Sequence, residues 1–262
     1  MYVGLGAAIV IIFAVLVYLN TSGRSPSSNV TAYIGKQVPQ ALISELNVPS
    51  SVSNKIVEGT VGQFPTSISA PPLRSGTKPE VLYIGAEYCP YCAVTRWGLV
   101  MALMRFGTFS NLRYMASSSS DVYPNTPTFT FFNSTYSSNY ISFVSVETST
   151  SVYPYQPLQN MTAFQSAIFS KYNPGGGIPF IDFGNISIQN GAPFMPQVLA
   201  GYDWNSIAGS LGNVNSSVAQ SIVGSADVFT AEICRMTNDT PSNVCSQPYV
   251  TSVLRAMSAG GA

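Results

Sequence analysis

Cys89-Pro90-Tyr91-Cys92 is the stretch of this chain whose residue types and spacing point to covalent chemistry. It joins two segments of different character. Residues 81–85 (VLYIG) form an apolar run of strand length, preceded by Lys78-Pro79. Residues 93–104 are apolar or helix-favouring at nearly every position, with Trp97, Val100, Met101 and Met104 at helical spacing. A strand that feeds a helix through Cys-x-x-Cys sets the first thiol at the helix N-terminus, where unpaired N–H groups and the macrodipole favour a thiolate. Pro90 suits the first turn because its missing N–H is not needed there. The second thiol sits one turn on, close enough to attack a mixed disulfide formed at the first. Cys89 is therefore the candidate nucleophile, expected exposed at a helix start, and Cys92 the resolving thiol.

The competing readings of this pair are a static disulfide or half of a zinc site. Zinc would need Cys234 and Cys245, but ten residues separate them and the chain has no histidine. No metal ligand set and no cofactor are read from the sequence. Cys234 and Cys245 are expected to form a structural disulfide, worth about 2.5–3 kcal/mol over so short a loop in the chain-entropy model. A shuttle pair that exchanges with Cys89 and Cys92 is the alternative.

The elements that must hold this site belong to a chain of unusual composition. Its 262 residues can bury a full core. The charged fraction is 8%, with formal net charge zero, against roughly 25% in ordinary soluble domains. Aromatics at 12% and hydrophobics at 46% argue for a packed fold rather than disorder. No basic patch exists to hold a nucleic-acid backbone. A surface of hydroxyls and amides changes little with pH, which suits an outward-facing protein in an acidic medium. Ordinary secreted-protein bias gives the same composition.

Residues 2–19 are apolar or aromatic without a charge and span about 27 Å as a helix, close to the hydrocarbon thickness. They read as a retained transmembrane anchor (1–19) rather than a cleaved signal peptide, because the n-region is Met1 alone and no small-x-small site follows. Seven Asn-x-Ser/Thr glycosylation candidates, at Asn20, Asn29, Asn133, Asn160, Asn185, Asn215 and Asn238, place the rest outside the cell. Paired cysteines point the same way. The expected location is the cell membrane, single-pass, with the catalytic domain on the extracytoplasmic side.

Residues 20–31 are a flexible linker and 32–262 an ectodomain. Residues 38–46 read as a short helix, and 48–78, with four prolines, as an extended arm. Residues 111–116 can form the next strand after the redox helix. Residues 126–133 and 140–147 alternate with period two, which predicts a hairpin within an insertion at about 117–158. Residues 161–172 predict a helix ended by Pro174-Gly175-Gly176-Gly177, and a strand from 178 follows. A helical C-terminal region is expected at about 203–262, capped by Asp203 and including 216–236.

Ala86-Glu87-Tyr88-Cys89-Pro90-Tyr91-Cys92 resembles the thioredoxin superfamily, with the glutaredoxin-type Pro-Tyr between its cysteines. The whole pattern also resembles a crenarchaeal family of membrane-anchored proteins of unassigned function, domain of unknown function 929. The first resemblance implies an α/β fold: a thioredoxin-like mixed sheet with flanking helices, here carrying a β-hairpin insertion and an N-terminal transmembrane helix. It also implies a cis-proline opposite the cysteines. Ile178-Pro179 and Thr126-Pro127 compete for that role. The strand so opened should run antiparallel to the redox strand after a crossover helix, and only Pro179 has a full helix ahead of it. Tyr88 and Tyr91 would form the apolar rim for a substrate chain, beside Ile178 and Pro179. The buried acid that many thioredoxins carry six residues before the first cysteine is replaced by Tyr83, and Glu87 is expected at the rim.

The function so implied is a membrane-tethered thiol–disulfide oxidoreductase acting on extracytoplasmic cysteine-containing proteins. As an oxidase it would need a membrane redox partner, whose effective concentration the tether would raise. The alternative is a redox-inert ectodomain of the same fold, serving as a cell-surface binding module or an accessory subunit of a membrane complex.

Overall fold

The computed structural model describes residues 30–260. The proposed anchor, most of the linker, and Asn20 and Asn29 lie outside the described residues. Three short helices lead: α1 (Val30–Tyr33), α2 (Gln40–Glu45) and α3 (Ser50–Ile56). Two-residue strands β1 (Thr66–Ser67) and β2 (Arg74–Ser75) precede β3 (Lys78–Gly85) and the helix it feeds, α4 (Pro90–Met104). Next come β4 (Gly107–Ser110), β5 (Arg113–Ala116), β6 (Pro127–Thr130), β7 (Thr135–Ser138) and β8 (Ser142–Glu147). Helix α5 (Ala163–Tyr172), β9 (Phe180–Phe183) and β10 (Ser187–Asn190) follow. The chain ends in α6 (Trp204–Ser210), α7 (Ser217–Met236), α8 (Ser242–Cys245) and α9 (Pro248–Gly260). Among the described residues no helix is long and apolar enough to cross a membrane.

The result is a mixed sheet with helices on both faces. β3 is central, with β8 parallel to it on one side and β9 antiparallel on the other, and β10 returns beside β9. A central strand is covered on both faces, so its apolar run is continuous rather than alternating. Val81 and Tyr83 point into a core shared with α4 and α7, among them Trp97, Leu99, Ile222 and Phe229. Leu82 and Ile84 face the other layer, where Ile168 of α5 packs with Val146, Phe180 and Ile188. Helices α4 and α7 pack closely at Gly98, where an added Cβ would lie 2.8 Å from Ser225 Cβ. Deeper along the same pair, Arg105 meets the buried Asp227 at 2.7 Å, and Ser53 of the leading arm donates to that carboxylate.

Three expectations are corrected here. Residues 140–147 do not form a hairpin with 126–133: β8 belongs to the main sheet, with Val81 opposite Phe143 and Gly85 opposite Glu147. Residues 111–116 do supply a strand, as expected, but its partner lies outside the main sheet. Strand β5 pairs with β6, and β4 with β7, so residues 107–138 make one long hairpin between α4 and β8. The hairpin thus spans 107–138 rather than lying within about 117–158. Period-two alternation marks a strand but carries no information about its partner. The leading arm is not wholly extended either, since Val52 and Ile56 stand four apart on α3 and Ile56 is buried.

Candidate active site

Strand β3 ends at Gly85, and the chain turns through Ala86, Glu87 and Tyr88 to Cys89, the N-cap of α4. Cys89 has extended φ/ψ (−77°, 120°), and its Sγ accepts the Cys92 N–H at 3.2 Å. A sulfur thus occupies the place where Ser or Asp would cap a helix. The Ile178–Pro179 peptide is cis, and Cys89 Sγ lies 3.8 Å from the Ile178 carbonyl oxygen. The rival Thr126–Pro127 bond is not among the cis peptides of the described residues, and Pro127 O instead accepts the Trp97 indole N–H at 2.8 Å. Cys89, Cys92, Ile178 and Pro179 are therefore brought together.

The thiols are less open than the sequence suggests. Cys89 is 5% exposed and Cys92 fully buried, both as free thiols. Aromatic side chains crowd this end of the helix. Tyr88 stacks on Tyr155, with ring centroids 4.4 Å apart and planes 21° from parallel. Tyr91 meets Tyr123 edge-on at 6.0 Å. The tip of the long hairpin is held here by the Ser118 N–H, which donates to Tyr88 O at 2.8 Å. Tyr88 and Tyr91 are half-buried on either side of Cys89 in the chain, and sequence reasoning missed their partners Tyr123 and Tyr155. The signal was a repeated tripeptide: Val-Tyr-Pro occurs at 122–124 and at 152–154. Val122, Val152 and Tyr153 from these two loops are well exposed. A cavity of about 560 Å³ opens beside Tyr123, lined also by Val122, Pro196 and Leu199.

The two thiols are electrostatically unlike. Cys89 is held below the ordinary thiol range, first by the hydrogen bond from the Cys92 thiol, then by backbone N–H groups and Arg96, against the opposing effect of burial. Cys92 is pushed well up, first by burial and then by that same hydrogen bond. The sulfur nearer the surface, Cys89, is therefore the first of the pair to ionise.

Under the thiols lies an ion pair that sequence reasoning missed. Arg96 Nε and Nη2 bond both Glu147 oxygens at 2.9 and 2.6 Å, and Nη2 also donates to Ala86 O at 2.7 Å. Both side chains are fully buried. Arg96 is the lone charge between residues 88 and 104 and stands four residues after Cys92, a spacing that sets both on one helix face. Glu87 is not at the rim: it is buried, with Thr130 Oγ1 donating to it at 2.6 Å, and burial raises its pKa. Tyr83 is fully buried beneath the Arg96 guanidinium, 5.7 Å from ring centroid to Cζ.

Cys234 and Cys245 form a disulfide with Cα atoms 5.5 Å apart. It closes the far end of α7, where Met236 lies against Gly184 at the end of β9. The Cys89 and Cys92 thiols sit at the opposite end of the sheet, beyond Gly85, about 16 Å along β3. The shuttle alternative is thereby excluded, since direct exchange needs sulfurs in contact. Among the described residues no group of three or more His, Cys, Asp or Glu is placed to hold a metal ion. Of the glycosylation candidates described, Asn133, Asn160, Asn215 and Asn238 are exposed. Asn185 is not free, because its amide donates to Pro71 O at 2.7 Å.

Residues 65–176 match the family model of a domain of unknown function, DUF929. The matched stretch runs from β1 through α4, the long hairpin and α5, and stops just before Ile178-Pro179. The chain is similar there to a family whose function is unassigned. No curated protein matches it, and no solved structure does.

Proposed function

We propose that this is a membrane-tethered, extracytoplasmic thiol–disulfide oxidoreductase of thioredoxin-like fold. The observation that carries the reading is the Cys89 sulfur, capping α4 while it faces the carbonyl that precedes a cis-proline. The strand arrangement supports the fold assignment. β3, its helix, a parallel neighbour, a crossover helix and two antiparallel strands are what the thioredoxin resemblance implies, with 107–138 as the insertion. Cys89 thiolate would attack a protein disulfide, and Cys92 would resolve the mixed disulfide. The exposed side chains around the thiols suit an extended, apolar stretch of substrate polypeptide. The 18-residue apolar run at 2–19 and the exposed Asn-x-Ser/Thr sites support the location outside the membrane.

One observation favours a second reading, the redox-inert ectodomain: Cys89 offers 5% of its surface. The purified full chain distinguishes them by insulin-reduction turnover and by the potential of the Cys89/Cys92 couple. Turnover that Cys89→Ser abolishes, with mixed disulfides accumulating on Cys92→Ala, supports the enzyme. A potential below about −300 mV without turnover would leave the binding module.

A further inference from the structure

Cys92 has to lose a proton inside the protein before it can resolve anything. The titratable and charged groups around it are Cys89 and Tyr88 at the helix start, Tyr83 from β3, Glu87 from the turn, Glu147 from β8 and Arg96 from its own helix. A carboxylate base is the ordinary solution, and Glu87 is the candidate. Its oxygen is already taken by Thr130, and burial favours its neutral form. Tyr83 is neutral and its hydroxyl has no partner.

Arg96 differs from both. Nε and Nη2 are fully used by Glu147 and Ala86 O, yet Nη1 is buried without an acceptor. An unpaired donor on a buried cation is costly. Its location gives it a use, because the nearby sulfur of Cys92 becomes an anion during resolution.

On the oxidoreductase reading, we infer that Arg96, fixed in place by Glu147, is the positioning residue that stabilises the Cys92 thiolate, so that resolution proceeds by charge rather than by a carboxylate base. The steps balance as follows. Cys89 thiolate attacks one sulfur of a substrate disulfide. That bond breaks, and the other substrate sulfur leaves as a thiolate. The Cys92 proton ends on this released sulfur. The Cys92 thiolate then attacks Cys89 Sγ, the Cys89–substrate bond breaks, and the second substrate sulfur leaves and takes a proton from water. The substrate disulfide is reduced to two thiols, and Cys89–Cys92 is oxidised. A guanidinium keeps its charge across the whole range in which Cys92 titrates, so no proton acceptor has to be regenerated at this site between turnovers.

The test uses the full chain in two backgrounds. In Cys89→Ser, the ultraviolet absorbance of the thiolate titrates Cys92 directly. With Cys89 intact and loaded as a glutathione mixed disulfide, the rate of glutathione release measures resolution. Exchanging the ion pair for apolar residues, Arg96→Met with Glu147→Leu, avoids stranding one buried charge. It is expected to raise the Cys92 midpoint by at least one unit and slow release about tenfold or more. Arg96→Lys, which keeps the charge, is expected to restore most of both. Glu87→Gln is expected to change release by less than about twofold. An unchanged Cys92 midpoint in the folded pair exchange overturns the inference, as does a tenfold loss in Glu87→Gln. Should the pair exchange not fold, by near-ultraviolet circular dichroism, the Glu87→Gln rate decides alone. If Cys89 forms no mixed disulfide in the unaltered chain, the oxidoreductase reading fails, whereas the Cys92 titration still reports on Arg96.

Discussion

Asp182 makes the fold a sensor of pH in an unusual direction. Its side chain is fully buried on β9, opposite Leu82. Oδ1 accepts the Asn185 N–H at 2.6 Å, while among the described residues Oδ2 is buried without a partner and no cation is paired with it. Burial raises its pKa from 3.8 to about 6, aided by the nearby Glu80 and opposed by the Asn185 bond. An acid whose folded pKa exceeds its unfolded one binds more protons when folded. Its contribution is therefore fully present below about pH 3.8 and is lost as pH rises through about 6. Two units correspond to about 3 kcal/mol. Asp182→Asn keeps the shape and the acceptor but cannot ionise. Urea unfolding of the full chain, with Cys234–Cys245 intact, should be measured from pH 3.5 to 7. Wild-type stability minus that of the Asn variant is expected to fall by about 3 kcal/mol across this range, most steeply at about 1.4 kcal/mol per unit between pH 4 and 6. A difference that stays flat, or that grows with pH, would refute the reasoning. The carboxylate would then be solvated or paired in a way that the buried Oδ2 contradicts.

Two further perturbations probe the frame. Replacing both Cys234 and Cys245 with serine should lower stability by about 2.5–3 kcal/mol in urea. The alkylation rate of Cys89 should stay unchanged, because the two sulfur pairs occupy opposite ends of β3. Gly98→Ala should cost about 1–3 kcal/mol despite the better helix propensity of alanine, since its methyl would meet Ser225 Cβ at 2.8 Å between two packed helices. A more stable variant in thermal melts would show that α4 and α7 can move apart.

How much of this was legible depends on the kind of signal. The redox strand, its helix and the pair Cys89/Cys92 announce themselves because apolar runs of two periods meet at a Cys-x-x-Cys. Pro179 was separable from Pro127 by connection length, since a crossover needs a helix and only one proline followed one. The partner of β8 was not legible. Residues 142–147 alternate as an edge or hairpin strand would, and only the register shows them beside β3. The burial of Cys89 was hidden for a different reason. Tyr123 and Tyr155, which crowd this end of the helix, are distant in sequence, and no local pattern says that two Val-Tyr-Pro loops converge. Arg96 was overlooked although its spacing from Cys92 was in plain view. Its importance rests on Glu147, whose position followed from the missed pairing.

The burial of Cys89 has a consequence for which disulfides the protein could exchange. On the oxidoreductase reading, a sulfur only 5% exposed, with the Tyr88–Tyr155 and Tyr91–Tyr123 ring pairs beside it in the chain, would admit a narrow strand more readily than the convex surface of a finished domain. Bridges already sealed within compact neighbours would be spared, and chains still threading out across the membrane would be accessible. Selectivity of this sort would come from timing rather than from recognition of any particular sequence.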